Sequence, residues 1–281
     1  MSERIGQKYT TNDQLFAIQQ LQQTGYSIMP RPHVHTGFEL YYLLQGERVY
    51  FINGKIFTAQ KGDMVIVVPG DLHSTASSQV EHVERVLIQF DPRFIPQPER
   101  QVLELPPFLE STLLRVPLKE QDELENSLLY MLSECKEHQA FYESYIRQLL
   151  IGLLIRLHRI GSLADTSAES QHPMHQKVSE ITAHIHTHFS EPITLEQLAG
   201  IFFISPSYLS RVFLKLTGFH LSEYIRIIRV REAQKLLRTT TAKIQQIAEH
   251  VGFEHISHFN KTFKKVSGCS PLQYRKQHVR S

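Results

Sequence analysis

The C-terminal third of the chain contains the same helix-turn-helix pattern twice, and this duplication limits the fold more than any other feature. The first copy runs from Thr194 to Tyr224 and the second from Lys243 to Tyr274. Six position pairs repeat at an offset of 49 or 50, namely Leu195/Ile244, Leu198/Ile247, Ala199/Ala248, Phe213/Phe263, Gly218/Gly268 and Tyr224/Tyr274. Because a fixed offset over many positions marks a duplicated structural unit, the sequence predicts an all-α domain with two helix-turn-helix motifs.

Charge is unevenly distributed along the chain. Residues 175–281 contain 15 Lys and Arg against 7 Asp and Glu, a net charge of +8, whereas residues 1–174 contain 15 against 21, a net charge of −6. This asymmetry is expected when one half of a protein meets phosphate groups and the other does not. The duplicated half is therefore predicted to bind double-stranded DNA.

The second helix of the first copy is the first candidate recognition helix. Ser205 suits the N-cap and Pro206 the first helical position, so we expect the helix to begin there. Helical spacing leaves five residues on or near its exposed face, which are predicted to contact DNA: Ser207, Tyr208, Ser210, Arg211 and Lys215. Arg211 is the best candidate for reading a base, since a guanidinium can bond a guanine edge at two points.

The second copy supplies a second candidate recognition helix. Phe259 and Phe263 are predicted to be core residues, which leaves six residues to contact DNA: Ser257, His258, Asn260, Lys261, Lys264 and Lys265. Lys261 matches Arg211 at the offset of 50. A lysine is a point charge rather than a planar fork, so at this position contact with phosphate competes with base readout.

The two motifs, and above all the run GFEHISHFNKTFKKVSGCSPLQYRK (residues 252–276), resemble the AraC/XylS family of bacterial transcription regulators. The resemblance spans about residues 175–278, with the features in register being the Gly-Phe pair, Phe259, Phe263, Gly268, Ser270-Pro271 and Tyr274-Arg275. It implies a seven-helix DNA-binding domain in which a long linker helix joins the two recognition helices.

The segment SEYIRIIRVREAQKLLR is the candidate for this linker helix. It starts near Ser222 and ends before the run of three threonines that begins at Thr239. Its predicted buried stripe consists of Ile225, Ile228, Ala233, Leu236 and Leu237. We interpret its basic residues as a solvated or phosphate-facing edge, the residues being Arg226, Arg229, Arg231 and Lys235.

The first ninety or so residues are typical of β-structure. Short runs rich in Val, Ile, Tyr and Phe, such as GFELYYLLQG and ERVLIQF, alternate with turns that contain Gly, Pro and Asp. Asn53-Gly54 lies between two such runs and predicts a tight hairpin. Several strands at this spacing favour a jelly roll or barrel.

Within these strands, His33, His35, Glu39 and Gly46, followed by the run PGDLH that ends at His73, resemble the cupin pattern. In metal-binding cupins, the two histidines, the glutamate and the later histidine bind one ion inside the barrel. Residues 33, 35 and 39 are predicted to share one face of an extended strand. Imidazole and carboxylate ligands suit a divalent transition metal, so the candidate metal ligands are His33, His35, Glu39 and His73.

Three interpretations of this cluster remain open. It could be a metal centre, either of a sensor or of an enzyme. It could be a metal-free pocket in which five residues bind a small polar effector, the candidates being His33, His35, Glu39, Tyr41 and His73. It could also be structural, with polar groups paired to each other inside the barrel. The family resemblance favours the effector pocket, with no cofactor expected, and the family's effectors are often sugars.

Domain boundaries follow from these patterns. Residues 1–160 are predicted to form a cupin-like barrel with appended helices, the helical part covering about residues 100–160. This domain would bind the effector and support dimerisation. A wide apolar stripe from Ile146 to Leu157 predicts a helix that packs onto the barrel or onto a partner subunit. Residues 161–174 are small and polar and predict a linker, and residues 175–281 form the double helix-turn-helix domain.

Composition excludes several classes of protein. The two cysteines, Cys135 and Cys269, offer neither a disulfide framework nor a zinc site. The N-terminus lacks an apolar signal sequence, and the longest apolar run, Leu149–Ile155, is too short to span a bilayer. We therefore expect a soluble cytoplasmic protein that makes no use of a membrane.

The predicted function is that of a sequence-specific transcriptional regulator, not an enzyme, that is controlled by a small-molecule effector, with a sugar as one candidate. Its expected partners are promoter DNA, the effector and a second copy of the chain, with RNA polymerase added if the protein is an activator. The alternative is a cupin metal sensor or metalloenzyme fused to a DNA-binding domain. The sequence leaves open the target genes and the sign of regulation.

Overall fold

The computed structural model describes residues 3–25, 29, 33–78, 80–163 and 173–278. The chain divides into two compact units, the first made mainly of Met1–His175 and the second of Gln176–Lys215 and Phe219–Ser281. Each unit has its own hydrophobic core. Across the described parts of the chain, no helix is both long enough and apolar enough to cross a membrane.

Two antiparallel sheets form the first unit. Its strands, among the residues described, are β1 (Glu3–Ile5), β2 (Lys8–Thr10), β3 (Phe16–Thr24), β4 (Phe38–Gln45), β5 (Glu47–Ile52), β6 (Lys55–Gln60), β7 (Asp63–Val67), β8 (His73–Ser77), β9 (His82–Phe90) and β10 (Thr112–Arg115). The larger sheet has the order β1-β3-β9-β4-β7-β10, with β2 also paired to β3, and the smaller sheet has the order β6-β5-β8. This sheet-rich unit agrees with the predicted fold class.

The larger sheet is buried on both faces because each face packs against a different neighbour. One face presents a row of four residues paired across β3, β9, β4 and β7, namely Ile18, Ile88, Leu40 and Ile66. This row shares a core with helices α1 (Leu118–Glu137) and α2 (Tyr142–Leu163). The opposite face packs against the smaller sheet, where Tyr41, Val65 and Tyr50 belong to one buried cluster. Since side chains alternate between faces, a strand enclosed on both sides is buried on both faces, as β4 is from Phe38 to Leu43.

The hairpin between β5 and β6 forms where the sequence predicts it. Asn53 and Gly54 have φ angles of 48° and 93°, and Ile52 pairs with Lys55. A two-residue hairpin turn of this kind needs positive φ at both central positions, which Asn and Gly adopt at low cost. The hairpin prediction is confirmed.

The region after the sheets starts differently from the prediction. Two short 3₁₀ helices, Pro92–Phe94 and Glu99–Glu104, come first, and then β10 adds to the larger sheet beside β7. The α-helical part therefore begins at Leu118 rather than near residue 100. The strand was missed because TLLR is too short to show an alternating pattern.

The apolar stripe of α2 packs within its own unit. Five of its residues are at most 2% exposed, namely Ile146, Leu150, Leu153, Leu154 and Leu157, and Leu149 packs against the same core. Packing onto the barrel, one of the two alternatives, therefore accounts for the stripe. Other apolar residues near the start of α2 are exposed, with Phe141 at 86% and Tyr145 at 45%.

Seven helices make up the described part of the C-terminal region: α3 (Pro173–His188), α4 (Leu195–Ile201), α5 (Pro206–Thr217), α6 (Leu221–Thr239), α7 (Ile244–His250), α8 (Ile256–Ser267) and α9 (Pro271–His278). The predicted linker, residues 161–174, lies mostly outside the described residues. Its first three residues end α2, and its last two begin α3.

The duplication in the sequence is repeated in the helices. Both α4 and α7 contain 7 residues, and both α5 and α8 contain 12. Matching positions are buried in both copies, including Ala199 with Ala248 and Phe213 with Phe263. Each copy therefore has the short helix, the turn and the second helix that the pattern predicts.

Helix α6 is the predicted linker helix, starting one residue earlier than expected. Ile225, Ile228, Ala233 and Leu237 are buried, and Leu236 is partly buried, which confirms the apolar stripe. The interpretation of the basic residues as an outer edge fits the exposed Arg226 but is wrong for Arg229. The Arg229 side chain is half-buried and donates hydrogen bonds to main-chain carbonyl groups.

Candidate functional site

Three histidines and one glutamate of the first unit come together as predicted. One ligand atom from each of His33, His35, Glu39 and His73 lies within 4.8 Å of the others. Glu39 and His73 are buried, His35 is half-buried and His33 is exposed. The cluster therefore extends from the interior of the sandwich to its surface.

The backbone that carries this cluster is not one strand. His33 forms an isolated bridge with His73, the chain bends at Thr36 and Gly37, and β4 begins at Phe38. The expectation that residues 33, 35 and 39 share one face of an extended strand is therefore wrong. Their side chains meet because the bend turns His35 back towards Glu39, with the His35 Nε2 atom 3.1 Å from Glu39 Oε1.

Backbone carbonyls fix the tautomers of two of these histidines. His35 Nδ1 lies 2.8 Å from the carbonyl oxygen of Gly37, and His73 Nδ1 lies 3.0 Å from that of Asp71. A carbonyl oxygen can only accept, so each Nδ1 carries a proton. Both Nε2 atoms then face the Glu39 carboxylate, at 3.1 and 3.2 Å, without the alignment of a hydrogen bond.

The Glu39 carboxylate is also bound by two neutral donors. The Tyr41 hydroxyl donates to Oε2 and the Gln89 amide donates to Oε1. Burial would raise the pKa of Glu39, but the imidazoles of His35 and His73 outweigh it and hold the pKa well below its usual range. Glu39 is therefore ionised at neutral pH. Burial and the charge of Glu39 raise the pKa of Tyr41 well above its usual value, so its phenol remains a donor.

Sequence reasoning missed Gln89 and Arg85, which lie on the same face of β9. Alternation along the run ERVLIQF places Arg85, Leu87 and Gln89 together, and this was the available signal. Their partners depend on register, since Gln89 pairs with Glu39 across β4 and β9. Lys8 of β2 extends the network, because its ammonium group lies 2.6 Å from the Gln89 side-chain oxygen.

Arg85 places a positive charge inside the sandwich. The residue is 7% exposed, and its Nη1 atom donates to the Tyr50 hydroxyl at 3.5 Å. Its guanidinium carbon lies 5.1 Å from the centre of the Tyr41 ring, within range of a cation–π contact. Burial would lower the pKa of Arg85, but Tyr50, Tyr41 and Glu39 outweigh it and raise the pKa.

A cavity of about 770 Å³ opens beside Glu39, and we call it the Glu39 cavity. Polar side chains at its wall include Lys8, Asn12, His35, Glu39, Gln89 and Arg93. Its volume is in the range of sites for small organic molecules, which run from about 300 to 1,000 Å³. The Glu39 cavity therefore has both the size and the hydrogen-bonding groups for a small polar ligand.

In the second unit, the predicted DNA-contacting residues of α5 lie on its outer face. Ser207, Tyr208, Arg211 and Lys215 are exposed, and Ser210 is partly exposed. Residues 207, 211 and 215 follow one another at intervals of four, so they form one stripe along the helix. The Ser205 hydroxyl accepts from the Tyr208 N–H at 3.4 Å, and the helix starts at Pro206 as predicted.

All six predicted residues of α8 are exposed: Ser257, His258, Asn260, Lys261, Lys264 and Lys265. On the opposite side of this helix, Phe259 and Phe263 are fully buried. The two sides are thus separated sharply, as a helix that packs on one face and binds on the other requires.

Families of known proteins match both units of the chain. The AraC-like ligand binding domain family matches residues 17–154, and a helix-turn-helix domain family matches residues 198–277, so the two matches span most of the chain. The arabinose operon regulatory protein of Escherichia coli (strain K12) is 25% identical over 274 residues, which cover 95% of this chain and 91% of that protein. The chain belongs to the AraC family.

Other similarities cover a smaller part of this AraC-family protein. The bifunctional transcriptional activator/DNA repair enzyme AdaA of Bacillus subtilis (strain 168) is 40% identical over 103 residues, 37% of this chain and 49% of that protein. The C-terminal domain of AraT, a response regulator from Geobacillus stearothermophilus, is 35% identical in sequence. The alignment covers 40% of this chain and 92% of that one, with a TM-score of 0.37.

Membership of the AraC family assigns a role to each unit. The protein is a DNA-binding transcriptional regulator with a ligand-binding N-terminal domain. The family match to the ligand-binding domain includes Glu39 and His73, and the match to the helix-turn-helix domain includes both α5 and α8. Two sets of roles stay predictions: the eleven residues of α5 and α8 as DNA contacts, and the effector ligands His33, His35, Glu39, Tyr41 and His73.

Proposed function

We propose that this AraC-family regulator binds a small polyhydroxylated effector, such as a sugar, in the Glu39 cavity, and that binding changes its occupancy of promoter DNA. The observation that carries the proposal is the ionised, buried carboxylate of Glu39 at the wall of a cavity of about 770 Å³. Such a carboxylate accepts strong hydrogen bonds from hydroxyl groups. One relative of similar length is named as an arabinose operon regulatory protein, which supports a sugar. Regulation rather than catalysis is the proposed role of the chain.

The effector proposal is tested with Glu39→Gln, which keeps the shape of the side chain and removes its charge. L-arabinose and a panel of other pentoses and hexoses serve as probes, with thermal unfolding and promoter binding as readouts. We expect one sugar to stabilise the wild type and to change its DNA affinity, and Glu39→Gln to lose both responses. Glu110→Gln is the matched control, because Glu110 is exposed and outside the cavity. A sugar response that survives in Glu39→Gln would contradict the proposal.

On DNA, each chain would use both recognition helices. Held by α6, helices α5 and α8 would enter successive major grooves on one face of the duplex, so their elements would lie roughly 34 Å or 10 base pairs apart. Because the two helices differ in sequence, the site would have a direction and need not be palindromic. Footprinting on the promoter tests this. Protection of a single groove, or a requirement for a palindrome, would contradict it.

A divalent metal ion is the second candidate ligand, and one observation favours it. His35 and His73 each use Nδ1–H on a backbone carbonyl, which is how metal-bound histidines are commonly oriented, and each turns Nε2 towards the same carboxylate. A divalent cation bound here would take the place of the Nε2 protons through which the imidazoles lower the pKa of Glu39, leaving two neutral imidazoles and a carboxylate as ligands. The residues therefore fit a divalent transition metal held by His33, His35, Glu39 and His73.

Metal analysis separates the two candidates. If the protein is a metal sensor, purified wild type exposed to Zn²⁺ or Mn²⁺ and then dialysed will retain one ion per chain, measured by elemental mass spectrometry. His73→Ala should then lose the ion, and His250→Ala, which removes an exposed histidine of α7, should keep it. If the wild type loses all metal on dialysis and responds to a sugar, the metal sensor is contradicted and the metal-free effector pocket is supported.

A further inference from the structure

Arg229 of α6 binds three main-chain carbonyl groups at once. Its Nε atom donates to the carbonyl oxygen of Phe189 at 2.7 Å, Nη1 to that of Gly252 at 2.8 Å, and Nη2 to that of Glu191 at 2.8 Å. The five N–H groups of a guanidinium lie in one plane with fixed directions, so three short contacts define where the three carbonyls sit. We call this arrangement the Arg229 clamp.

The three carbonyls come from different parts of the DNA-binding unit. Phe189 and Glu191 belong to the connection between α3 and α4, which leads into the first helix-turn-helix copy. Gly252 lies in the turn between α7 and α8, within the second copy. The Arg229 clamp therefore links the segment that leads into the first copy to the turn of the second copy, in addition to the covalent link that α6 provides.

The second copy is shaped to fit this contact. Gly252 has a φ of +87°, and a Cβ atom there would lie 2.7 Å from the Ser190 carbonyl oxygen and 3.0 Å from Arg229 Cζ. The glycine thus allows the turn to approach both the connection and the guanidinium. Phe253, the next residue, packs in the core of the second copy and lies 5.9 Å from the guanidinium. A displacement of Arg229 would therefore also displace Phe253, which lies three residues before the start of α8.

Arg229 is also poorly placed to bind DNA phosphate. Its side chain is half-buried, burial lowers the pKa of its guanidinium, and its Nε, Nη1 and Nη2 atoms all donate to main-chain carbonyl groups. Arg226, three residues earlier on the same helix, is exposed. The two arginines carry the same charge on one helix but differ in what that charge contacts, which makes them a matched pair.

We propose that Arg229 is a positioning residue that sets the separation and angle of the two recognition helices, and so the number of base pairs between the two halves of the DNA site. The proposal rests on the proposed use of both α5 and α8 on one site. A rigid link between two binding elements favours one spacing, because only that spacing lets both elements bind without distortion. A loosened link accepts several spacings but binds each less tightly.

A first experiment measures the geometry without DNA. Spin labels are placed at the exposed residues Glu196 of α4 and His250 of α7 in the full chain, after replacement of Cys135 and Cys269. We expect one narrow distance distribution for the wild type and for Arg226→Met, and a broad or shifted one for Arg229→Met. Arg229→Lys, which keeps the charge but lacks the planar fork, should fall between them. An unchanged distribution in Arg229→Met would overturn the proposal.

A second experiment measures spacing preference. DNA sites are selected from a random library by the wild type, and the spacer between the two elements is then changed by one or two base pairs. We expect each change to weaken binding by the wild type about tenfold or more, and by Arg229→Met about threefold or less. Arg226→Met should weaken all sites alike and keep the full spacing penalty.

The two experiments also separate this proposal from the one it rests on. If the wild type selects no site with two elements, the proposed DNA-binding mode fails while the label distances still test the clamp. If Arg229→Met is too unstable to study, Arg229→Lys gives the same comparison. Weaker binding by either variant with an intact wild-type spacing penalty would show that Arg229 stabilises the fold without setting the spacing.

Discussion

The two helix-turn-helix copies share their helix lengths and core positions, yet their turns are built differently. In the first copy, the left-handed position of the turn is Phe203, with a φ of 54° and a side chain that is 94% exposed. In the second copy, the matching residue at an offset of 49 is Gly252, which is packed against Ser190 and Arg229. The duplicated sequence thus preserves the motif while each copy adapts its turn to its own surroundings.

Their outer faces differ in the same way. Helix α5 offers Arg211 and Lys215 in its exposed stripe, whereas α8 carries Lys261 and Lys265 at the matching positions and adds the exposed Lys264. A guanidinium suits recognition of a base edge, and ammonium groups suit contact with phosphate. The comparison predicts that the first copy contributes more to sequence preference and the second more to general affinity for DNA.

The largest expected effect tests whether the two cores are equivalent. Phe213 packs on Tyr224, and Phe263 packs on Phe259 and Tyr274, with ring centres 5.5 to 5.6 Å apart. Replacing either phenylalanine with alanine should lower the free energy of unfolding by about 3–5 kcal/mol. Urea unfolding followed by circular dichroism measures both variants. A loss below about 1 kcal/mol in one of them would show that the two cores are not equivalent.

The next prediction tests the division between base reading and phosphate contact. Arg211→Ala should cost about 1–3 kcal/mol of binding energy and relax the preference at one base pair of the site. Lys264→Ala should weaken binding to all sequences alike and reduce the dependence of affinity on salt. Both are measured by titrating selected and scrambled DNA at several salt concentrations. Equal loss on all sequences in Arg211→Ala would mean that α5 does not read that base.

Local pattern predicted the parts of this molecule that depend on neighbours in sequence. The hairpin at Asn53-Gly54, the start of α5 at Pro206 and the buried stripe of α6 all follow from residues within a few positions of each other. The membership of the Glu39 cluster was also predicted, although there the backbone reached the arrangement through a bend rather than a strand.

Contacts that depend on register or on main-chain partners could not be read in the same way. Gln89 reaches Glu39 because β4 and β9 pair in one particular register, and no residue near position 89 specifies that pairing. Arg229 has the composition of a surface arginine on an amphipathic helix, and its partners are carbonyl groups 23 to 40 residues away. Every residue has a carbonyl group, so the sequence carries no signal for which ones an arginine will bind.

A smaller effect is expected from exchanging the turns. Gly252→Ala should destabilise the protein by more than about 1 kcal/mol, because a Cβ atom is disfavoured at this positive φ and meets the Ser190 carbonyl. Phe203→Gly should stabilise the protein by up to about 1 kcal/mol. The glycine removes the backbone strain at φ 54°, and this gain exceeds the additional conformational entropy that glycine loses on folding. Thermal unfolding of both variants checks the signs. Destabilisation by Phe203→Gly would show that the Phe203 ring makes a contact that outweighs the strain.

The smallest expected effect concerns how the first helix of each copy begins. Thr194 caps α4 fully, since its hydroxyl accepts from the Gln197 N–H at 3.1 Å and its own N–H donates to the Gln197 side chain at 2.9 Å. At Lys243, the backbone N–H donates to Gln246 at 3.1 Å, but no side-chain hydrogen bond caps α7. Thr194→Ala should therefore cost about 1 kcal/mol, whereas Lys243→Ala should stay within about 0.5 kcal/mol of wild type.

Hydrogen exchange at the first amides of α4 and α7 localises this difference. In the wild type, the amide of Gln197 should exchange more slowly than that of Gln246, because a side-chain oxygen protects the first and not the second. Thr194→Ala should bring the two rates together. Lys243→Thr should slow exchange at Gln246 and raise stability, because it gives α7 the cap that α4 already has. If Lys243→Thr changes neither rate nor stability, the uncapped start of α7 is set by its surroundings rather than by the residue at its N-terminus.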